Sequence, residues 1–154
     1  PDFGIMNEKP RNTKESLFSK DLMTEVTILG ITITVVVFGT WKYIMDKNYD
    51  IITARSIIMM LMVFIQNVDV FNCRSEKRSI FKTPFFSNPF AILTVLGAIG
   101  LQLVLSEIPF TAQFLEVTPI SFNIIINLLL LSFIVIIVYE IYKFIYNKKT
   151  KTKA

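Results

Sequence analysis

The apolar residues of this sequence are gathered into four long blocks, and this feature restricts the possible folds more than any other. The blocks lie at about 22–45, 51–72, 89–106 and 120–146. Each comes close to the roughly 20 residues that an α-helix needs to cross about 30 Å of hydrocarbon. None alternates polar and apolar residues, as the strands of a membrane barrel do. The sequence therefore predicts an all-α integral membrane protein that forms a four-helix bundle.

Composition excludes several classes of enzyme and of metal site. Of the 154 residues, 53% are apolar and 18% are charged, which leaves too little charge to cover a soluble domain of this size. Histidine is absent and Cys73 is the single cysteine, so the chain can hold neither a disulfide framework nor a cysteine-based metal site of its own. The sequence contains no nucleophile paired with a base and no glycine-rich phosphate loop. We expect no catalytic residue and no cofactor site in this chain.

Basic residues are concentrated in three polar segments, and they predict the orientation in the membrane. The segments 1–20, 73–88 and 147–154 hold Lys9, Arg11, Lys14, Lys20, Arg74, Lys77, Arg78, Lys82, Lys148, Lys149, Lys151 and Lys153. Cytoplasmic connections are rich in lysine and arginine. We therefore expect a cytoplasmic lead-in (1–20), a membrane domain (21–146) and a basic cytoplasmic tail (147–154). Because the basic residues adjoin apolar blocks, their expected partners are anionic lipid headgroups and not nucleic acid.

Two polar residues inside the second block are the candidate ion ligands. Gln66 and Asp69 are three positions apart, so on a helix they share a face. A carboxylate in hydrocarbon is costly unless it is protonated, paired, hydrated or bound to a cation. Oxygen ligands from Asp and Gln suit hard cations such as calcium or sodium. The alternative is structural: Asp69 pairs with the nearby Arg74, and Gln66 forms a hydrogen bond with another helix.

The remaining polar residues of the blocks have simpler interpretations. Asn123 and Asn127 are four apart and are expected to form hydrogen bonds between helices. Glu140 and Lys143 are spaced for a local salt bridge. Arg55 lies near the start of its block, where a guanidinium can reach lipid headgroups.

Three stretches carry a resemblance to a known family. "EKPRNTKESLFSKDLM" (8–23) resembles the segment before the seventh membrane helix of P-type cation-transporting ATPases. "FNCRSEKRSIF" (71–81) resembles the cytoplasmic end of the eighth helix with its following loop, and "VYEIYKFIYNKK" (138–149) the end of the tenth. The resemblance covers nearly the whole chain and is closest to bacterial calcium-transporting pumps. It implies that the four blocks are helices seven to ten of such a pump, in a bacterial plasma membrane.

The resemblance also implies a role for the candidate ligands. It places Gln66 where sarcoplasmic-type calcium pumps have a glutamate, a difference that implies a single calcium site. The pair Gln66 and Asp69 is similar to the Gln-x-x-Asp of the sodium/potassium pump, but the stretch around Gly97 and Ala98 lacks the acids of that pump's ninth helix. Calcium is therefore the expected ion, with sodium, potassium or a proton as the alternative.

The chain lacks the parts of these pumps that use ATP. The Asp-Lys-Thr-Gly phosphorylation motif and the Thr-Gly-Glu motif are absent, so ATP and magnesium are expected only in the complete pump. The sequence begins with Pro1, which suggests a fragment that works with the remaining helices and cytoplasmic domains. A free-standing four-helix assembly or regulatory subunit without transport is the competing interpretation. A passive channel is disfavoured, because the few polar residues lie near one end of the blocks.

Overall fold

A computed structural model describes residues 20–72 and 88–151 of the chain. These residues form four long helices and one short helix, and no strand occurs among them: α1 (Lys20–Asp46), α2 (Ile51–Asn72), α3 (Pro89–Glu107), α4 (Pro109–Leu115) and α5 (Phe122–Lys151). The four long helices have the length and apolar composition needed to cross a membrane. The predicted all-α class and the four spans are confirmed. The orientation stays a prediction, and Cys73 and Arg74 lie outside the described residues.

The link between α1 and α2 is a tight turn with a local sequence cause. Asn48 adopts the left-handed conformation with φ 57°, which asparagine tolerates better than most residues. Its N–H donates to the carbonyl of Met45 at 3.0 Å, and the N–H of Tyr49 donates to the carbonyl of Ile44 at 3.4 Å. This is the Schellman pattern that satisfies carbonyls at a helix end. Asp50 then caps α2, since its carboxylate accepts from the N–H of Thr53 at 2.9 Å.

The segment between α3 and α5 contains the short helix α4. Pro109 begins α4 at a position where its missing N–H costs no hydrogen bond. The helix ends at Glu116, which is left-handed with φ 51°. The N–H of Val117 donates to the carbonyl of Ala112 at 2.9 Å, so a second Schellman pattern turns the chain toward α5. The buried Val117 anchors this turn against the bundle.

Helices α2 and α5 form the centre of the bundle, and their N-terminal ends lie together, because Ser56 near the start of α2 is hydrogen-bonded to Thr118 just before α5. Their contact is the most extensive between any two elements, while α1 lies against both and α3 lies against α2. In the most apolar stretch of each helix, 44% of the residues of α2 are buried, against 22% for α5, 11% for α3 and 6% for α1. The core consists of Val36, Ile44, Ala54, Ile57, Met60, Leu61, Phe64, Ile65, Leu128 and Val135. On α2 the core residues recur every three or four positions, as expected for one helical face.

Four threonine hydroxyl groups on α1 are satisfied within the helix. Thr27, Thr32, Thr34 and Thr40 each donate from Oγ1 to the carbonyl four residues earlier, at 2.7 Å in every case. Back-bonding of this kind lets a threonine lie in hydrocarbon without a partner on another helix. Helix α1 therefore imposes no polar requirement on its surroundings at these positions.

Candidate functional site

The two candidate ligands lie in the last two turns of α2, away from the core of this chain. Gln66 is exposed and Asp69 is half-buried, whereas the nearby residues Phe64, Ile65 and Val68 are buried. Successive residues of a helix are rotated by about 100° around its axis. Gln66 and Asp69 therefore share one side of α2, and the buried core residues lie on another side. The structure brings the pair together on one face, as the spacing predicts.

This side of α2 continues as a stripe along the whole helix. Arg55, Met59, Met62 and Gln66 are exposed and Asp69 is half-buried, at alternating intervals of four and three residues. We call these five residues the outer face of α2. From the start of the helix to its end, this face presents the cation of Arg55, two flexible methionine side chains, the amide of Gln66 and the carboxylate of Asp69. A surface that would meet hydrocarbon alone has no need for the last two groups.

Gln66 requires a hydrogen-bond partner from outside the described chain. Its side-chain amide forms no hydrogen bond with any residue in 20–72 or 88–151, in contrast to its neighbour Asn67, whose Nδ2 donates to the carbonyl of Val63 at 2.8 Å. An amide in an apolar medium without a partner costs roughly 2–7 kcal/mol, depending on the reference state. The outer face of α2 is therefore expected to be covered by polar groups, water or an ion.

Gln66 and Asp69 can supply only part of a cation site. No group of three or more His, Cys, Asp or Glu side chains that could hold a metal occurs among the described residues. Calcium takes about 6–8 oxygen ligands, and two side chains leave most of these positions to be filled by other groups. The predicted pairing of Asp69 with Arg74 involves a residue outside the described part of the chain.

The opposite end of α2 is tied to the segment before α5. Nη1 of Arg55 donates to Oε2 of Glu116 at 2.7 Å, but both side chains are more than half exposed, so the pair contributes at most about 1 kcal/mol. The stronger tie is buried: the N–H of Thr118 donates to Oγ of Ser56 at 2.8 Å. Arg55 thus has a partner within the chain, which the sequence did not indicate because Glu116 is 61 residues away.

The capping carboxylate of Asp50 is held in its charged form. The side-chain and backbone hydrogen bonds from Thr53 lower the pKa of Asp50 below its ordinary value of 3.8. A lowered pKa means that the charged group contributes stability above pH 3.8 and that this contribution is lost as the pH falls through the folded-state pKa. At neutral pH the cap is therefore fully formed.

The polar residues of α5 are placed differently from each other. Asn123 and Asn127 are exposed, and neither side chain forms a hydrogen bond within the described residues, so the expected bonds to other helices do not form there. Asn127 lines a groove between α1 and α5.

Lys143 is buried, with Nζ 4.5 Å from the centre of the Tyr139 ring. The aromatic ring stabilises the ammonium group by a cation–π contact, a partner that the spacing of Glu140 and Lys143 does not indicate.

Comparison with known proteins identifies relatives over most of the chain. The model of the family described as "Cation transporting ATPase, C-terminus" matches residues 1–145. The chain is 30% identical over 157 residues to Calcium-transporting ATPase 1 of Bacillus cereus, covering 92% of this chain and 18% of that protein. It is 33% identical over 110 residues to the Calcium-transporting ATPase of Bacillus subtilis, covering 71% of this chain and 12% of the relative. For Calcium-transporting ATPase type 2C member 1 of Mus musculus the identity is 29%, covering 99% of this chain and 17% of the relative.

The comparisons confirm the resemblance found in the three sequence motifs. The family match includes all four candidate membrane spans except the last residue of the fourth, Tyr146. The chain spans less than a fifth of the length of these relatives, at 18%, 12% and 17%. The chain belongs to the cation-transporting P-type ATPases and forms the C-terminal membrane part of such a protein.

Proposed function

We propose that this chain is the C-terminal transmembrane part of an ATP-driven calcium pump of the plasma membrane. The observation that carries the proposal is the outer face of α2, where Gln66 and Asp69 are directed away from the core of this chain. The relatives are calcium-transporting ATPases by name, and this supports calcium as the transported ion. ATP and magnesium would act in the remainder of the pump, to which this chain contributes no catalytic residue.

In this proposal the four long helices have two roles, to support the ion site and to bind the ion. The packed pair α2 and α5 gives the outer face a rigid base, because the buried side of α2 is held by the core. Gln66 offers a neutral amide oxygen, and Asp69 offers a charged carboxylate one turn closer to the end of the helix. Oxygen ligands of these two kinds suit calcium, and the other ligands come from the remaining helices of the pump.

Single substitutions in the intact pump test this assignment. Gln66→Ala and Asp69→Ala are each expected to raise the calcium concentration for half-maximal ATPase activity by about tenfold or more, since tenfold corresponds to about 1.4 kcal/mol of binding free energy. Gln102→Ala is the matched control, because Gln102 is a half-buried glutamine on α3, away from the outer face of α2.

The results distinguish between two parts of the proposal, the identity of the transported ion and the identity of its ligands. Unchanged calcium dependence in both Gln66→Ala and Asp69→Ala would remove these residues from the site. Stimulation of the unmodified pump by sodium but not by calcium would overturn the assignment of the ion and leave the position of the site intact. The expected binding of lipid headgroups by the basic connections is a separate prediction, measurable by flotation of the pump with anionic and neutral vesicles.

A further inference from the structure

A groove to which α3 contributes no lining residue is large enough for a small ligand. It has a volume of about 680 Å³ and lies between α1 and α5, with the buried residues Val36, Ile44, Ile57 and Leu128 at its base. Ligand sites typically measure about 300–1,000 Å³ and are mostly apolar with a few polar groups. The groove matches this description, and it is separate from the outer face of α2.

The length of the groove corresponds to one leaflet of a bilayer. Its α5 wall runs from Ile124 to Ile134, and its α1 wall runs from Ile44 back to Val35. At a rise of 1.5 Å per residue these walls are about 15 Å and 14 Å long. Half of the hydrocarbon thickness is also about 15 Å. An acyl chain from one leaflet would therefore fit this length.

From its mouth inward, the groove presents a positive charge, then an amide and then apolar residues. A phospholipid has its phosphate, ester and acyl groups in the matching order. At the mouth, the Nζ of Lys47 lies 5.7 Å from the ring centre of Tyr43, and Tyr43 and Tyr49 line the groove. Tyrosines of this kind mark the membrane interface. Asn127 follows at about 7.5 Å below the start of α5, counted at 1.5 Å per residue. Deeper in the groove, Val35, Leu131 and Ile134 are apolar.

The Lys47 ammonium, which lies near the Tyr43 ring, and the Asn127 amide both lack an anionic or hydrogen-bonding partner among the described residues. Within the described residues, Lys47 forms no ion pair with a carboxylate, and Asn127 forms no side-chain hydrogen bond. By contrast, the Thr40 hydroxyl in the same groove donates to the carbonyl of Val36. A phosphate attracts a lysine ammonium, and an ester carbonyl accepts from an amide N–H, so a phospholipid would satisfy both groups.

We infer that this groove is a binding site for one glycerophospholipid of the leaflet next to the link between α1 and α2. The phosphate contacts Lys47, an ester carbonyl accepts a hydrogen bond from Asn127, and one acyl chain fills the groove as far as Ile134. By the charge count of the connections this leaflet is extracytoplasmic. The bound lipid seals the space between α1 and α5 and couples them on the side away from the ion ligands.

Gly39 is a position from which a side chain can be added to the groove. It lines the groove, and a Cβ built on it would meet no atom within 4 Å. Gly39→Leu therefore places a side chain in the space assigned to the lipid. Gly97→Leu is the matched control, since Gly97 on α3 is also clear of other atoms but lies outside the groove.

The experiment uses the intact pump and a phosphatidylethanolamine that carries a diazirine in one acyl chain. After illumination, peptides of α1 and α5 that line the groove should carry the label. Gly39→Leu is expected to reduce this label several-fold, and Gly97→Leu is expected to retain it. Lys47→Gln should reduce labelling by the phospholipid but not by a photoreactive fatty alcohol, which lacks the phosphate.

Three results would overturn the inference. The first is equal labelling in Gly39→Leu and the unmodified pump, and the second is an equal loss in the Gly97→Leu control. The third is a second polypeptide that copurifies in equal amount and is lost on Gly39→Leu, because the groove would then hold a protein helix. If Lys47→Gln leaves phospholipid labelling unchanged, the phosphate contact is wrong.

Discussion

The hydroxyl of Ser56 joins two parts of the chain that are 62 residues apart. It donates to the carbonyl of Ile52 at 2.9 Å and accepts from the N–H of Thr118 at 2.8 Å. Ser56 is only 2% exposed and Thr118 is half-buried, so water has limited access to this hydrogen bond. A neutral buried hydrogen bond of this kind stabilises the link before α5 more than the exposed pair of Arg55 and Glu116 does.

At this scale the prediction concerns Ser56→Ala in the intact protein. The substitution leaves the N–H of Thr118 without an acceptor, which should cost about 1–3 kcal/mol. Ser132→Ala is the control, because Ser132 is also buried but only donates, to the carbonyl of Leu129 at 2.6 Å. Thermal unfolding in detergent measures the difference. Equal losses in the two variants would show that the bond to Thr118 contributes nothing.

At the scale of the elements, backbone conformation decides where α1 and α4 end. Asn48 and Glu116 both have positive φ values, of 57° and 51°. A left-handed conformation costs an L-residue with a Cβ roughly 1–2 kcal/mol. Glycine avoids this cost, although inside a helix it is less favourable than alanine. Glu116 therefore holds a position that would suit glycine, and its carboxylate offsets part of the cost by pairing with Arg55.

The matched substitutions Glu116→Gly and Glu116→Ala isolate this backbone effect. Both remove the carboxylate and differ only in the Cβ, so the glycine variant should be the more stable one by about 1 kcal/mol. Within α4, Gln113→Gly should instead be less stable than Gln113→Ala by about 0.5–1 kcal/mol. Thermal unfolding measures both pairs. The same order of stability at both positions would contradict the left-handed end of α4.

The sequence predicts those features that depend on local periodicity. Length and apolar composition identify the four spans, and the three-residue spacing places Gln66 and Asp69 on one face. The sequence does not predict the short helix α4, because its seven residues lie in a short segment of mixed polar and apolar composition that shows no helical periodicity. The pairing of Arg55 with Glu116 and the groove beside Asn127 depend on contacts between distant segments. Such contacts leave no pattern in the local sequence.

At the scale of the whole molecule, much of the apolar surface is exposed. The most apolar stretches of α1 and α3 are only 6% and 11% buried, and large side chains such as Phe38, Phe90 and Leu93 are exposed. Lipid can cover these apolar side chains. It cannot satisfy the amide of Gln66 at membrane depth. The outer face of α2 is therefore the surface that most requires a protein partner.

This requirement predicts how the chain behaves when it is produced without the rest of the pump. Residues 1–154 alone in detergent should self-associate through the outer face of α2, where amide side chains can pair between copies. In a Cys73→Ser background, Met62→Cys should form disulfide-linked dimers more readily than Leu96→Cys, an exposed position on α3 whose neighbours one turn away are all apolar. A monomer by light scattering, or equal cross-linking at both positions, would contradict this expectation.

The position of Asp69 near the end of α2 also has an electrostatic consequence. Aligned peptide dipoles leave the C-terminal end of a helix with roughly half a negative charge, and a carboxylate there is disfavoured by about 0.3–1 kcal/mol. Helix α2 ends at Asn72, so Asp69 lies in this last turn. The negative end of the helix also attracts cations. This attraction adds to the attraction between a cation and the carboxylate of Asp69. Under the proposed assignment, a cation bound at Asp69 would also stabilise the end of α2, so that cation affinity and helix stability would be two measures of one interaction.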